Sequence, residues 1–375
     1  MFKIQNKLKL LTLIIILFYL IFFFYLKSFS IFSLYYYINN KNINLNINYI
    51  YKIKENAKNN TKNNYFFLKK EKLELCKNYG IFIYNYPNAK GIVKKGNIGD
   101  YIQSLASLQF LPQNCIPTFI DRDNFEYYNN SQNKKIVIMN SWNIIEKGNR
   151  KIPDNIYPIY ISYHINNADF IDSIAINNLK KYQPIGCRDK FTRNALLKKG
   201  IHAYFSSCLT TTLDIFFSVK ESERTNEIIF IDYKFGMMPL ADKFIKSLNK
   251  YDFNKIKYIT HLYILKKYTH FERFRLAKQL LDRYARAKLV VSTRIHGALP
   301  CLALNTPVIF INKEYDNRFP GLYELLNTIG INSKGEFKIN VQLNKNNMVV
   351  NSNNYLKYSY KLKEKLKRIL TNFKL

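Results

Sequence analysis

The chain has 375 residues, so at roughly 150 residues per domain it is long enough for two domains plus extensions. Hydrophobic residues make up 47% of it and aromatic residues 16%, which excludes a mostly disordered protein. The formal net charge is +32, but no zinc-finger spacing, RNP-type aromatic motif or basic heptad pattern accompanies it. We therefore interpret the charge as a solvated basic surface and predict no nucleic-acid partner.

The N-terminal segment has the pattern of a membrane anchor. Three lysines precede an apolar run over residues 10–26, and Lys27 follows it. Such a run would form a helix of about 25 Å, near the lower limit for crossing a bilayer core. We predict a cytosolic N-terminus and an uncleaved single-pass signal anchor within residues 1–27, which makes the rest of the chain lumenal or extracytoplasmic. A cleaved signal peptide is the alternative.

Residues 28–79 are rich in Asn, Lys and Tyr without an apolar period, and we predict a stem there. From residue 80, short apolar runs alternate with amphipathic segments. Strands are predicted at 81–86, 136–140, 159–163, 204–206, 228–232, 258–262, 289–292 and 308–311, and helices at 100–111, 190–199, 240–248, 271–285 and 297–304. This alternation is typical of parallel sheets covered by helices. It predicts an α/β protein with two Rossmann-like domains, 80–220 and 221–340, and a cleft between them.

The C-terminal segment, 341–375, is predicted to form an amphipathic helix at about 355–373 that packs on the body. The predicted apolar side of this helix carries Leu356, Tyr360, Leu366, Leu370 and Phe373.

A first candidate site segment enters the helix at 100–111. It reads Gly-Asn-Ile-Gly-Asp-Tyr-Ile-Gln and contains Asn97, Gly99, Asp100 and Gln103. Its two glycines allow backbone N–H groups to approach an anion or a sugar, and Asp100 and Gln103 can bind hydroxyl groups. The alternative is that Asp100 only caps the helix. The third glycine of a dinucleotide fingerprint is missing, which disfavours NAD.

Two further segments follow predicted strands and precede helices. In the first, Arg188 is placed to point into the cleft, although a surface ion pair with Asp189 is the alternative. The second contains Arg294, Ile295 and His296 at a strand-to-helix junction. A cation, an imidazole and helix N-terminal N–H groups suit a small dianion, such as a phosphate beside a carboxylate. No metal-ligand cluster is visible, so we predict neither a metal nor another cofactor.

These segments, in this order and spacing, resemble the motifs of the polysaccharide pyruvyl transferase family. The resemblance covers about residues 81 to 330 and includes the stretches 96–106, 187–189, 205–210 and 292–300. One departure is Ser207, where many members of the family carry glycine.

The resemblance implies a two-domain fold similar to GT-B glycosyltransferases, which would follow the N-terminal transmembrane helix predicted above from the apolar run. It also implies transfer of the pyruvyl unit of phosphoenolpyruvate onto a sugar diol of a glycan or polysaccharide, giving a pyruvate ketal. In this reading Arg188, Arg294 and His296, with the Ile295 backbone, bind phosphoenolpyruvate. His296 is the candidate general acid, and Asp100 orients or deprotonates an acceptor hydroxyl group.

Two other functions stay open. A nucleotide-sugar-dependent GT-B glycosyltransferase would have the same fold. Such enzymes usually carry a Glu in the C-terminal helix that binds ribose, and residues 297–308 contain no carboxylate. This absence favours the pyruvyl donor. The other alternative is a non-catalytic glycan-binding relative.

Overall fold

The structure is a computed structural model that describes residues 74–86, 89, 93–112, 115–128, 134–143, 152–215, 217, 219–316 and 318–373. All of these residues belong to the compact unit Ile53–Leu375. The predicted anchor and most of the predicted stem lie outside the described residues. In the part of the chain that is described, no helix combines the length and apolar character that a membrane crossing requires.

The first half of the described chain contains a parallel sheet and three α-helices. Its elements are β1 (Glu74–Ile83), β2 (Lys95–Asn97), α1 (Ile98–Leu108), β3 (Cys115–Asp121), β4 (Lys135–Ile138), β5 (Trp142–Asn143), β6 (Ile156–Ile159), β7 (His164–Ile165), α2 (Ser173–Lys181), β8 (Ile185–Cys187), α3 (Lys190–Lys198) and β9 (Ala203–Phe205). Strands β3, β1, β4 and β6 lie side by side in that order, and all three pairs are parallel.

The second half contains a six-stranded sheet. Its elements are β10 (Ile228–Ile231), α4 (Pro239–Ser247), β11 (Ile256–Ile259), β12 (Leu262–Ile264), α5 (His270–Arg286), β13 (Leu289–Ser292), α6 (Ile295–Ala303), β14 (Val308–Asn312), β15 (Asn327–Ile331), β16 (Phe337–Asn340) and α7 (Leu356–Thr371). The strand order is β11-β10-β13-β14-β15-β16. The first five strands are parallel, and β13 and β14 are buried throughout, as expected for strands covered on both faces.

The two sheets share a topology that determines where a ligand fits. In each sheet, the strand that comes first in the chain lies between the second and the third. The chain therefore adds strands first on one side and then on the other, and the change of side falls between β1 and β4 and between β10 and β13. Ligands of doubly wound sheets bind outside the carboxyl ends of the strands at such a switch point.

A short antiparallel ribbon joins the two halves beside these switch points. Strand β2 of the first half pairs with β12 of the second, and the Ile98 N–H donates to the His261 carbonyl oxygen at 2.8 Å. Arg273 of α5 reinforces the junction, because its guanidinium donates to the Tyr84 carbonyl oxygen beyond β1 at 2.9 Å. Apolar residues of α1, α5 and α6 belong to one buried cluster, so the core is continuous between the halves.

Several sequence predictions differ from the structure. Strand β1 begins inside the predicted stem, and β3, α2, β15 and β16 were not predicted. Parallel pairing does not extend to β16, which pairs antiparallel with β15. In the first half the alternation of strands and α-helices is incomplete, because a 3₁₀ turn, Arg122–Tyr127, follows β3 in place of an α-helix. The proposed division at residue 220 stays a prediction.

The apolar side predicted for the C-terminal helix is wrong in part. Leu356 and Tyr360 are exposed, whereas Ser359, Leu362, Leu366 and Leu370 of α7 are buried. Residues 360 and 366 are six positions apart, which at 3.6 residues per turn puts them on different faces. The buried side packs on the first half, where the Ser359 hydroxyl donates to the Thr211 carbonyl oxygen at 3.0 Å.

Candidate active site

A cavity of about 100 Å³ lies between the two halves, beside the β2–β12 ribbon. Its lining comes from both halves: Asn97, Asp100, Gln103, Arg188, His261, Thr293, Arg294, Ile295, His296, Arg318 and Phe319. The residues from the second half follow the carboxyl ends of β13 and β14 or precede β12. The cavity is therefore at the edge of the second sheet where doubly wound sheets bind ligands.

Helix α1 begins at this cavity. Its N-cap is Asn97, whose side-chain oxygen accepts the Gly99 N–H at 3.0 Å. Asp100 is therefore not the capping residue, and that alternative is wrong. The Asp100 carboxylate instead accepts the Tyr86 hydroxyl at 2.6 Å and the Gln103 side-chain amide at 3.3 Å.

Burial raises the pKa of Asp100, and the Arg122 charge and the Tyr86 hydrogen bond oppose that rise only in part. A carboxyl group in this position is a better proton acceptor than an exposed one.

Helix α6 also begins at this cavity. Its N-cap is Arg294, whose side chain makes no capping hydrogen bond. The first N–H groups of a helix have no intrahelical acceptor, so the Ile295 and His296 end of α6 is suited to an anion. The two helix starts are in close contact, since a Cβ atom on Gly99 would lie 3.0 Å from the His296 Cβ.

Arg188 follows β8 and is 3% exposed, so the alternative of a surface ion pair is wrong. Its Nε lies 3.7 Å from the Asp189 carboxylate and has no hydrogen-bond partner among the described residues. The Asp189 carboxylate is already used by the Thr192 N–H at 2.8 Å, as the cap of α3, and by His164 Nδ1 at 2.6 Å. Burial lowers the pKa of Arg188. A buried, incompletely paired guanidinium is costly unless a ligand anion joins it.

Two further arginines line the cavity, each held by a carboxylate. Arg294 Nε donates to Asp232 at 2.6 Å, and Arg318 Nε donates to Asp316 at 2.8 Å. Burial alone would raise the pKa of both carboxyl groups, but hydrogen bonds lower it. Asp232 accepts hydrogen bonds from Thr260 and Arg294, and Asp316 accepts them from Arg318. Both pairs are therefore ionised at neutral pH, and the carboxylates fix the direction of the guanidinium groups.

His296 is 5% exposed, and its Nε2 has no hydrogen-bond partner among the described residues. Its pKa is well below the ordinary value, first because of burial and then because of the Arg188 charge, with smaller effects from His261, His164 and Arg318. The imidazole is neutral at pH 7 in the free protein. His261 plays a different part, since its Nε2 is bound to the Tyr284 hydroxyl at 2.7 Å.

Comparison with known proteins gives one decisive match. The sequence matches the model of the polysaccharide pyruvyl transferase family over residues 97–315, which is more than half of the chain. The chain belongs to this family. None of the curated proteins matches the sequence.

Two solved structures are similar to this pyruvyl transferase family member at low identity. An uncharacterized protein from Klebsiella pneumoniae is 15% identical, covers 63% of this chain and 84% of its own, and has a TM-score of 0.35. The UDP-GlcNAc 2-epimerase of Methanocaldococcus jannaschii, solved with UDP-GlcNAc and UDP, is 11% identical, covers 79% of this chain and 99% of its own, and has a TM-score of 0.33. At these scores neither structure is evidence for the fold, and the likeness to GT-B enzymes stays a prediction.

The structure brings nearly all of the predicted site residues together. Those that line the one cavity are Asn97, Asp100, Gln103, Arg188, Arg294, Ile295 and His296. Gly99 does not line it but packs against His296. Their roles in this pyruvyl transferase family member remain to be tested.

Sequence reasoning missed three residues beside the predicted ones. Asp232 directly follows β10 at the switch point, a position that could have suggested a site residue. His261 belongs to none of the site motifs in the sequence, but it lines the cavity. Arg318 lies in the loop after β14, beyond the matched family segment, and belongs to no motif that marks it.

Proposed function

We propose that the protein moves the pyruvyl unit of phosphoenolpyruvate onto a pair of hydroxyl groups of a glycan, forming a pyruvate ketal and releasing phosphate. The observation that carries the proposal concerns Arg188 and His296, which are buried and line the same cavity. Arg188 Nε and His296 Nε2 each have no hydrogen-bond partner among the described residues. The proposal also includes an N-terminal membrane anchor, with the catalytic region lumenal or extracytoplasmic.

The donor has two anionic groups, and the cavity offers cations that match them. Phosphoenolpyruvate carries a phosphate and a carboxylate on the same carbon, C2. Arg188, Arg294 and Arg318 can bind these groups through planar, charge-assisted hydrogen bonds. The start of α6, at Ile295 and His296, adds backbone N–H groups. Since Arg294 and Arg318 are already oriented by carboxylates, little side-chain entropy is lost when the donor binds.

The neutral state of His296 in the free protein has a consequence for catalysis. Transfer of a proton to the methylene carbon of phosphoenolpyruvate requires an acid, and a neutral imidazole is not one. A bound trianion would offset the positive charge of Arg188 that lowers the His296 pKa. Donor binding therefore shifts the pKa of His296 upward, against the effect of burial, and favours the protonated acid in the complex.

The composition of the site disfavours a nucleotide-sugar donor. The stretch from α6 to the start of β14 contains no carboxylate for a ribose.

The proposal is tested with the full-length protein in detergent. We would incubate it with phosphoenolpyruvate labelled with ¹³C at the methylene carbon and with methyl glycosides of galactose, glucose, mannose and N-acetylglucosamine. The expected result is phosphate release coupled to a new ketal methyl signal in NMR spectra. A parallel incubation replaces the donor with UDP- and GDP-sugars.

Turnover of a nucleotide sugar without use of phosphoenolpyruvate would contradict the proposal. A protein that binds the glycosides but neither donor would favour the non-catalytic alternative.

A further inference from the structure

Asp100 is a buried carboxyl group in a place where a negative charge works against donor binding. It is 6% exposed and lines the same cavity as Arg188, Arg294 and Arg318. No described residue forms an ion pair with it, whereas Asp232 and Asp316 each hold an arginine. Helix capping therefore does not account for Asp100, and the positive charge that offsets it is that of the buried Arg122, which forms its own ion pair with Asp123.

The Asp100 carboxylate is oriented by a hydrogen bond from Tyr86. The Tyr86 hydroxyl donates to Oδ2 at 2.6 Å, while Oδ1 receives only the longer contact of 3.3 Å from Gln103. Tyr86 does not line the cavity. Oδ2 is therefore engaged by a strong hydrogen bond, and Oδ1 is the carboxylate oxygen with more capacity left to accept a further proton.

Tyr86 is itself fixed by its surroundings. Its hydroxyl also lies 3.0 Å from the Asn97 carbonyl oxygen, and its backbone N–H donates to Asp123 at 2.9 Å. Its φ of 51° is in the left-handed region, which a tyrosine adopts only when the surrounding structure imposes it. Such enforced conformations are concentrated at functional sites.

The proposed reaction needs a group that accepts a proton on the acceptor side. Two protons leave the diol: one ends on the methylene carbon of the donor, which becomes the ketal methyl group, and one ends on the released phosphate. As the first hydroxyl oxygen bonds to C2, its proton must go to a base. His296 cannot be this base if it is the protonated acid that acts on the methylene carbon in the same step.

We propose that Asp100 is the catalytic base that accepts the proton of the acceptor hydroxyl group, and that Tyr86 is its positioning residue. The inference rests on the proposed function. Asp100 takes the proton while His296 gives one to the methylene carbon. The second hydroxyl group then attacks C2 as the C–O bond to phosphate breaks, and its proton leaves with the phosphate. The proton on Asp100 passes through solvent to replace the one that His296 gave, which resets both groups.

The ionisation of Asp100 depends on groups from several elements. Arg122 and Asp123 face it from the turn after β3, Tyr86 from the loop after β1, and Arg188 from the loop after β8. His296 lines the same cavity from the start of α6. The Tyr86 hydrogen bond favours the ionised form, so its removal raises the pKa of Asp100 further.

The test compares Asp100→Asn and Tyr86→Phe in the full-length protein. Asp100→Asn should lower kcat about 100-fold or more with the best methyl glycoside, the usual effect of losing a general base. The affinity for phosphoenolpyruvate should stay the same or increase, because a negative charge near the anion site is removed. Tyr86→Phe should lower kcat about tenfold and move the acidic limb of the kcat–pH profile to higher pH.

A second buried Asp–Tyr pair supplies matched controls. Asp242 of α4 is also 6% exposed and accepts the Tyr233 hydroxyl, away from the cavity lining. Asp242→Asn and Tyr233→Phe should leave kcat and its pH profile unchanged.

Two results would overturn the inference alone: a kcat of Asp100→Asn within about threefold of the parent protein, or an unmoved acidic limb in Tyr86→Phe. If the parent protein forms no ketal and does not bind phosphoenolpyruvate, the proposed function fails first and this inference fails with it.

Discussion

Ser207 carries a backbone conformation that glycine would adopt without strain. Its φ is 67°, in the left-handed region, and it lies in the turn where many members of the family have glycine. Its hydroxyl is buried and has no hydrogen-bond partner among the described residues. The serine that replaces the family's glycine therefore leaves the turn intact, but its own backbone is strained.

Replacing Ser207 with glycine should stabilise the protein. Relief of the backbone strain and of a buried unpaired hydroxyl outweighs the extra flexibility of the unfolded chain, and we expect a gain of about 1 kcal/mol in the free energy of unfolding. Urea denaturation in detergent measures it. Ser206→Gly is the control and should destabilise, because the Ser206 hydroxyl donates to the Cys187 carbonyl oxygen at 3.0 Å. A less stable Ser207→Gly protein would contradict this account of the turn.

Protonation of His296 should accompany donor binding. The pKa of His296 is well below its ordinary value in the free protein, and we expect it to rise when an anion binds. At a pH between the pKa of the free protein and that of the complex, binding is therefore accompanied by uptake of a proton. Calorimetry at pH 8, where the donor phosphate is fully ionised, in buffers of different ionisation enthalpy should show uptake of up to about one proton.

His296→Asn should bind phosphoenolpyruvate without this uptake. A binding enthalpy of the parent protein that does not depend on the buffer would show that His296 stays neutral in the complex.

At the scale of elements, the close packing of α6 on the second sheet determines the position of the candidate donor residues. A Cβ atom on Gly297 would lie 2.6 Å from the Ser292 hydroxyl oxygen and 2.7 Å from the Ile231 Cδ1. The Ser292 hydroxyl cannot move freely, since it accepts the Arg294 N–H at 2.9 Å. The absence of a side chain at Gly297 thus lets α6 lie close to β10 and β13, which fixes the position of Arg294.

Gly297→Ala should therefore destabilise the protein, against the helix preference for alanine. In an open helix the change would stabilise by about 1 kcal/mol, but here overpacking should cost roughly 1–3 kcal/mol. Denaturant unfolding and phosphoenolpyruvate affinity are both measured, and both should fall. Asn177→Ala, at an exposed position of α2, is the control for helix propensity and should be neutral or stabilising. A more stable Gly297→Ala protein would show that α6 has room to move.

The sequence predicted the elements with a strong apolar pattern and missed the others for physical reasons. Strand β13 was predicted to the residue because four apolar or small residues stand between a helix and a site motif. Strand β3 contains Pro117, a residue that is uncommon inside strands, and α2 has only Ala175 and Leu179 buried, too few for a visible helical period.

The site was predictable where a motif follows a strand and not where it depends on long-range packing. Arg188, Arg294 and His296 each stand at a strand-to-helix junction, which is a local signal. The β2–β12 ribbon joins residues more than 160 positions apart, and the loop that brings Arg318 to the cavity carries no local pattern. Only the folded chain brings these groups together.

For the whole molecule, buried neutral histidines determine the response to acid. Burial lowers the pKa of His164 to about 4 and of His261 to about 3, and the residues are 0% and 1% exposed. In the unfolded chain the pKa is about 6.5, so below that pH the unfolded state binds more protons than the folded state. Stability is therefore complete above pH 6.5 and is lost as the pH falls toward 4.

We expect the free energy of unfolding to decrease by roughly 1–3 kcal/mol for each of these histidines between pH 7 and pH 4. Urea denaturation at a series of pH values measures this slope. His164→Asn should lower the slope, whereas substitution of the exposed His202 by Asn should leave it unchanged. Stability that is constant across this pH range would mean that these histidines are not buried in the neutral form.

The central claim concerns the whole cavity: that residues from both halves form one site for phosphoenolpyruvate. The most direct measurement is calorimetric titration of phosphoenolpyruvate into the full-length protein and into Arg188→Gln, with Arg193→Gln on α3 as the control. We predict that the parent protein and the control bind the donor equally, and that Arg188→Gln binds it about 100-fold more weakly, because a buried charge-assisted contact is lost. Equal binding by Arg188→Gln, or no binding by the parent protein, would contradict the claim.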